Sequence, residues 1–163
     1  MKKILVIGYG NPDRGDDGVA WHILGMLANK FGIGLNNELF EKGIMPANKS
    51  VDMWFNLQLV PEIAEDLHHY QRAIFIDAHT TEIQEDIRVI DIKPLFQNSP
   101  FTHHLTPSSC LFITQTLYGR APKSILVSVK GFEFDFSNLL SPQTQVFAEK
   151  ALTTILYWID EEI

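Results

Sequence analysis

Ile4-Leu5-Val6-Ile7 is apolar at every position and stops at Gly8, and Ala73-Ile74-Phe75-Ile76 and Ile125-Leu126-Val127-Ser128-Val129 read much the same way. A strand with one wet face alternates apolar and polar residues. A run that is apolar on both faces has to be covered on both, which is the condition of a central strand in a parallel sheet. Between these runs the period changes. Val19, Ala20, Ile23, Leu24, Leu27 and Ala28 keep helical spacing, and Ile63, Ala64 and Leu67 follow Pro61 at a first turn. Pro107 to Tyr118 reads as a helix closed by Gly119, and Ser141-Pro142 opens a last helix through Trp158. Leu39 to Glu41 and Ile87 to Ile92 are weaker strand candidates, expected near the sheet edges. Alternation of this kind predicts a three-layer α/β/α sandwich. The 163 residues contain no repeat, low-complexity tract or dividing linker, so one domain over residues 1–163 is expected. Gly43 to Phe55 and Pro94 to Pro107 are the least regular stretches and are expected to be loops, the usual carriers of function.

Composition narrows the function. The formal charge of −7 and pI near 5.3 oppose a duplex-binding surface, because neutralising phosphates takes clustered Lys and Arg; no nucleic-acid partner is expected. The four strongly apolar residues after Met1-Lys2-Lys3 are too short a run for a signal-peptide core. No run approaches the roughly 18 apolar residues of a membrane span. A single cysteine, Cys110, forms no disulfide within the chain, and a cytoplasmic, reducing compartment is the expectation. Cys110 stands beside Leu111, Phe112 and Ile113, where a buried thiol is the commoner outcome than a nucleophile.

Three features carry chemistry. The first strand runs into Gly8-Tyr9-Gly10-Asn11-Pro12-Asp13-Arg14-Gly15-Asp16-Asp17-Gly18. A dinucleotide loop is also glycine-rich, but it needs bare N–H groups at the helix start, where Asp16 and Asp17 repel phosphate. Two readings stay open here: the acids face a cation, or Asp16 caps the helix and Asp17 complements its dipole. The second feature is Asp77, placed by the strand Ala73 to Ile76 at the carboxyl edge where open parallel sheets bind ligands, or else a turn residue bonding to nearby backbone. His79 follows as a polar wall or an exposed side chain. The third is Thr102-His103-His104-Leu105-Thr106-Pro107, a histidine pair ahead of a helix. Neighbouring side chains diverge, so one imidazole at most joins any site. With two carboxylates it completes a mixed N and O set for a divalent transition metal; otherwise both are solvated. His22, His68 and His69 fall within helices and read as surface or packing residues.

Together these features resemble the [NiFe]-hydrogenase maturation endopeptidases, over nearly the whole chain. The family pattern is a strand entering Gly-x-Gly-Asn with an acidic pair before a helix, here Gly8-Tyr9-Gly10-Asn11 and Asp16-Asp17-Gly18. A strand ending in Asp-Ala follows, here Asp77-Ala78, and then a His-x-Leu segment before a helix, here His103-His104-Leu105. The resemblance implies that Asp17, Asp77 and His103 engage a metal ion, with His104 in place of His103 if the register differs by one. That ion is Ni²⁺ carried by the substrate, and other divalent metals can occupy the site. The resemblance also implies a twisted, mainly parallel five-stranded sheet in a phosphorylase/hydrolase-like α/β/α fold. Ala20 stands where the family usually has glycine, and Glu41-Lys42-Gly43-Ile44 replaces an Asp-Gly-Gly-Thr-like segment.

The implied activity is an endopeptidase, aspartyl-type or metal-dependent, that removes the C-terminal peptide of a [NiFe]-hydrogenase large-subunit precursor after nickel insertion. Asp17, Asp77 and His103 would fix the scissile peptide beside the metal and a water, with Asp16 as a candidate base. Ser108 and Ser109 read as helix-start residues. The rival readings are a non-catalytic chaperone of the same fold that binds the nickel-loaded subunit, and a nucleotide-binding α/β protein using the Gly8 to Gly18 loop.

Overall fold

The structure is a computed structural model and describes residues 2–35, 41, 43–97 and 104–161. Its strands are β1 (Lys2–Tyr9), β2 (Met45–Pro46), β3 (Val51–Asn56), β4 (Tyr70–His79), β5 (Ile87–Ile92) and β6 (Lys123–Lys130). Its helices are α1 (Val19–Lys30), entered through a 3-10 turn at Gly15–Gly18, α2 (Ile63–Leu67), α3 (Pro107–Tyr118) and α4 (Pro142–Asp160). The sheet order is β2-β3-β1-β4-β6-β5. The inner strands β3, β1, β4 and β6 run parallel, while β2 and β5 lie antiparallel on the two edges.

Alternation along the inner strands feeds two cores. Ile4 and Val6 of β1 and Ile74 and Ile76 of β4 pack with Ile23, Leu24 and Leu27 of α1 and Ala151 and Ile155 of α4. Leu5 and Ile7, with Ala73 and Phe75, pack against Ile63 and Leu67 of α2 and Cys110 and Leu111 of α3. Both sheet faces are therefore covered, as the double-sided apolar runs require. Burying each of these Leu, Ile or Phe side chains contributes roughly 1.5–3 kcal/mol. The helix starts on either face follow one device. Thr106 accepts the Ser109 N–H at 3.1 Å ahead of Pro107, and Ser141 accepts the Thr144 N–H at 3.4 Å ahead of Pro142.

The sheet corrects the expectation in two places. Among the described residues it has six strands rather than five, and much of the expected Gly43–Phe55 loop is the hairpin β2-β3. Asn48 makes the turn, its Oδ1 accepting the N–H groups of Ser50 and Val51 at 2.8 Å. β3 is buried from Val51 to Trp54 although Asp52 interrupts its apolar run, because Asp52 accepts the Tyr70 hydroxyl at 2.7 Å. The strand candidate at residues 39–41 lies outside the described residues except for Glu41, which is helical.

Candidate functional site

After β1 the chain goes to β3 on one side, then crosses back to β4 on the other side of β1. That reversal opens a crevice at the carboxyl ends of β1 and β4, where a parallel sheet offers a binding position. Gly8 pairs with Ile76 in the ladder, so Tyr9, the last residue of β1, stands beside Asp77, while β4 continues past the expected strand end at Ile76 and pairs with β6 as far as His79. Tyr9 and Asp77 continue the face of Leu5, Ile7, Ala73 and Phe75, and the Tyr9 hydroxyl donates to the Asp77 carboxylate. Asp77 also accepts the Ala78 N–H at 2.7 Å. Asp17 comes over the crevice from the loop after β1, with its Oδ2 accepting the Asn11 N–H at 2.8 Å. Among the described residues its Oδ1 receives no hydrogen bond.

Close approach dictates the glycines of this loop. Gly10 has φ of +134°, and a Cβ there would stand 2.2 Å from the Asp17 carbonyl oxygen. A Cβ on Gly18 would stand 2.6 Å from Pro12 Cα, so the loop folds flat onto the helix entry only with glycine at both points. Ala20, in place of the family's usual glycine, is fully buried, and its methyl packs in the space that Gly8 leaves by having none.

Burial pushes the Asp77 carboxyl up to about 7, and the negative charge of Asp17 adds to the rise. The Ala78 N–H and the Tyr9 hydroxyl pull the other way and lose. Tyr9 is in turn held well above its ordinary value, first by burial and then by the charge of Asp77. A buried carboxyl beside a second carboxylate that has an oxygen to spare forms a place that gains from a cation. The chemistry of the pair suits a divalent metal: two hard carboxylate ligands, one from the turn after β1 and one from β4.

Asp16 has a different occupation from its neighbour. It is fully buried, and its two oxygens accept four hydrogen bonds: from the N–H groups of Phe132 at 2.8 Å, Glu133 at 3.0 Å and Ser141 at 2.8 Å, and from the Ser141 hydroxyl at 2.7 Å. Burial raises its carboxyl, but those four donors outweigh it and hold the group below the ordinary carboxylate value. A general base needs a lone pair within reach of its proton, and Asp16 is fully buried with three donors on Oδ2 and one on Oδ1. It caps neither the 3-10 turn nor α1, and its carboxylate instead ties the β6–α4 loop to the loop that carries Asp17.

His103 lies outside the described residues. His104 is exposed, with its Nδ1 3.2 Å from Gln58 Oε1, just beyond the carboxyl end of β3. That places the segment entering α3 above the same sheet edge. Among the described residues no three His, Cys, Asp or Glu side chains gather as a metal cluster. His79 is buried rather than exposed, its Nδ1 2.6 Å from Ser128 Oγ and its Nε2 2.7 Å from the Glu85 carbonyl. The helix-entry N–H groups that a phosphate would need are taken, Asp16 N–H by the Glu133 carbonyl and Asp17 N–H by that of Arg14. Cys110 is buried and its thiol is pushed up to about 12 by burial, which suits packing and not nucleophilic attack. Ser109 Oγ accepts the Gln97 N–H at 3.0 Å and holds the segment before the histidines to α3.

No protein-family model matches the chain, and no curated protein matches it in sequence. Solved structures do match it in shape. The hydrogenase maturating endopeptidase HybD from Escherichia coli superposes with a TM-score of 0.72 at 21% identity, over 98% of this chain and 93% of that one. This is the fold of the hydrogenase maturation endopeptidases. A hydrogenase 2 maturation peptidase from a Thaumarchaeota archaeon matches with a TM-score of 0.63 at 17% identity, covering 99% of this chain and all of its own. The [NiFe] hydrogenase maturation protease HycI from Thermococcus kodakarensis gives 0.62 at 19%, over 94% and 90%. The resemblance read from three short motifs is thus matched by shape over nearly the whole chain, and the hydrogenase maturation endopeptidase fold here brings Asp17 and Asp77 into one crevice.

Sequence reasoning missed Tyr9. The signal was available: it is the last residue of β1 on the face of Leu5 and Ile7, opposite Asp77 in any parallel register that places Gly8 beside Ile76. Also unforeseen was a groove of about 940 Å³ beside the crevice, walled by Trp21, His22, Trp54 and Phe55 and flanked by Pro12 and Asn138.

Proposed function

We propose that this chain is an endopeptidase that removes the C-terminal peptide of a [NiFe]-hydrogenase large-subunit precursor once nickel is in place. The observation that carries the reading is the pair Asp17 and Asp77, brought together at the switch point of a sheet that is similar in shape to solved hydrogenase maturation proteases. In this reading Asp17 Oδ1 and the Asp77 carboxylate, with His103 from the segment entering α3, engage the Ni²⁺ that the precursor presents. Tyr9 and the Asn11 N–H position the two carboxylates. The metal check follows from electrostatics: burial and the Asp17 charge favour the protonated form of Asp77, and a cation in the crevice favours its carboxylate. Fixing the scissile peptide next to the crevice, with the tail in the groove walled by Trp21 and Phe55, would supply much of the rate by orientation.

Purified protein is mixed with nickel-loaded and nickel-free forms of a cognate precursor, and loss of the C-terminal peptide is followed by mass. Cleavage of the loaded form alone is expected. Binding of the loaded form without cleavage would replace this reading with the chaperone of the same fold.

A further inference from the structure

Between β6 and α4 the chain reads Gly131-Phe132-Glu133-Phe134-Asp135-Phe136-Ser137-Asn138-Leu139-Leu140. Phe136 is 91% exposed and Leu139 71%, and Phe132 is also exposed. Large apolar side chains held in water on a loop usually fold inward or move. Here the backbone that carries them is fastened. Asp16 accepts the N–H groups of Phe132 and Glu133 at one end of the loop and that of Ser141 at the other. In the middle the Ser137 carbonyl accepts the Gly15 N–H at 2.7 Å, and the Ser137 N–H donates to the Asp13 carbonyl at 2.9 Å. Ser137 Oγ accepts the Leu139 N–H at 3.1 Å. The loop is therefore fastened at both ends and its centre to the turn that carries Asp17, and Asn138 reaches the rim of the groove.

We infer that this fastened loop is the docking surface for the folded body of the protein substrate, presenting Phe136 and Leu139 to an apolar patch with basic residues around it. The inference rests on the proposed endopeptidase reading for the identity of the partner. Charge selects the occupant. Glu133 and Asp135 alternate with the phenylalanines, and no Lys or Arg occurs between Gly131 and Glu149. Acidic groups interleaved with apolar ones complement a basic, apolar surface. A second copy of a chain carrying −7, meeting it with the same acidic loop, would be repelled. A loop whose backbone is fastened before binding loses less freedom on docking than a loose one, the condition under which exposed aromatics act as interface anchors. The distance between this surface and the cleaved peptide is set by the same hydrogen bonds that hold Asp17, so docking aligns the crevice with the tail.

The test measures affinity and cleavage separately, using the full-length protein and a folded, nickel-loaded large-subunit precursor. Phe136→Ala/Leu139→Ala is expected to raise Kd and KM at least tenfold, with kcat and the thermal midpoint unchanged, since neither side chain is part of the core. Glu133→Gln/Asp135→Asn is expected to weaken binding about threefold at low salt and to flatten its salt dependence. Unchanged affinity in both variants, while wild type binds and cleaves, overturns the docking surface and leaves the endopeptidase reading intact. Wild type that binds without cleaving overturns the endopeptidase reading, and the affinities then still decide the surface. Wild type that does not bind a cognate precursor overturns both. Wild type that self-associates through Phe136, with precursor binding unaffected by the substitutions, assigns the surface to a second copy instead.

Discussion

Asp16 and Asp77 are both carboxyls withdrawn from water, and burial is the largest influence on each, yet one is held below its ordinary value and the other is raised to about 7. The difference lies in what surrounds the oxygens. Asp16 meets three backbone N–H groups and a hydroxyl, all fixed by the β6–α4 loop. Asp77 meets one N–H, one phenol and the negative charge of Asp17. Burial alone therefore says little about a carboxylate's role; the count of donors against charges decides whether it is a fastener or a site.

The sharpest break of the comparison is in activity. Asp17→Ala, Asp77→Ala and His103→Ala should each lower processing of a nickel-loaded precursor by a hundredfold or more with the fold retained by circular dichroism. Full processing by all three would remove the site. Stability should respond in the opposite place. Asp16→Ala leaves the N–H groups of Phe132 and Glu133 and the buried N–H and hydroxyl of Ser141 without their acceptor and should cost on the order of 4 kcal/mol in urea unfolding. Because the folded value of Asp16 is depressed, its contribution is present above the ordinary carboxylate range and lost as pH falls below it. Gly10→Ala, forced to φ of +134° against the Asp17 carbonyl, should cost roughly 2–3 kcal/mol and lower activity together with stability.

Titration separates the two acids further. The folded value of Asp77 lies above its unfolded one, so the folded chain keeps the extra proton and stability falls as pH rises from about 4 to about 7. Against wild type, Asp77→Asn should show on the order of 1–2 kcal/mol less loss across that window, discounted for the partial exposure of the group. Processing should rise over the same window, since Asp77 must ionise to engage a cation. The smallest effect belongs to Tyr9→Phe. Its hydroxyl lowers Asp77, so its removal should move the midpoint of that rise upward by about half a pH unit. A downward move would show that Tyr9 does not stabilise the ionised form.

These contrasts follow what a sequence can display. The inner strands β1, β4 and β6 were legible because their apolar runs need no partner to be recognised, and Asp77 was legible because it follows such a run toward the carboxyl edge, although β4 continues two residues beyond it. β3 was not: Asp52 interrupts its run, and the residue that makes a buried acid tolerable, Tyr70, is 18 positions away. The division of labour between Asp16 and Asp17 was hidden for the same reason on a larger scale. Nothing beside Asp16 in the chain signals that its partners are Phe132, Glu133 and Ser141. The cap and the dipole were the local readings, and the loop that claims Asp16 lies beyond any local window.

Those partners stand 116 to 125 residues beyond Asp16. A chain emerging from the ribosome makes β1 and its glycine loop first, but the groups that fasten the loop arrive only after β6. Contacts of such sequence separation form late, because closing them costs the entropy of the whole intervening chain. A half-made molecule thus holds both crevice acids without the clamp that sets them. The crevice is therefore set only once the segment after β6 has been made, and a chain that stops short of it carries both acids without their fixed spacing.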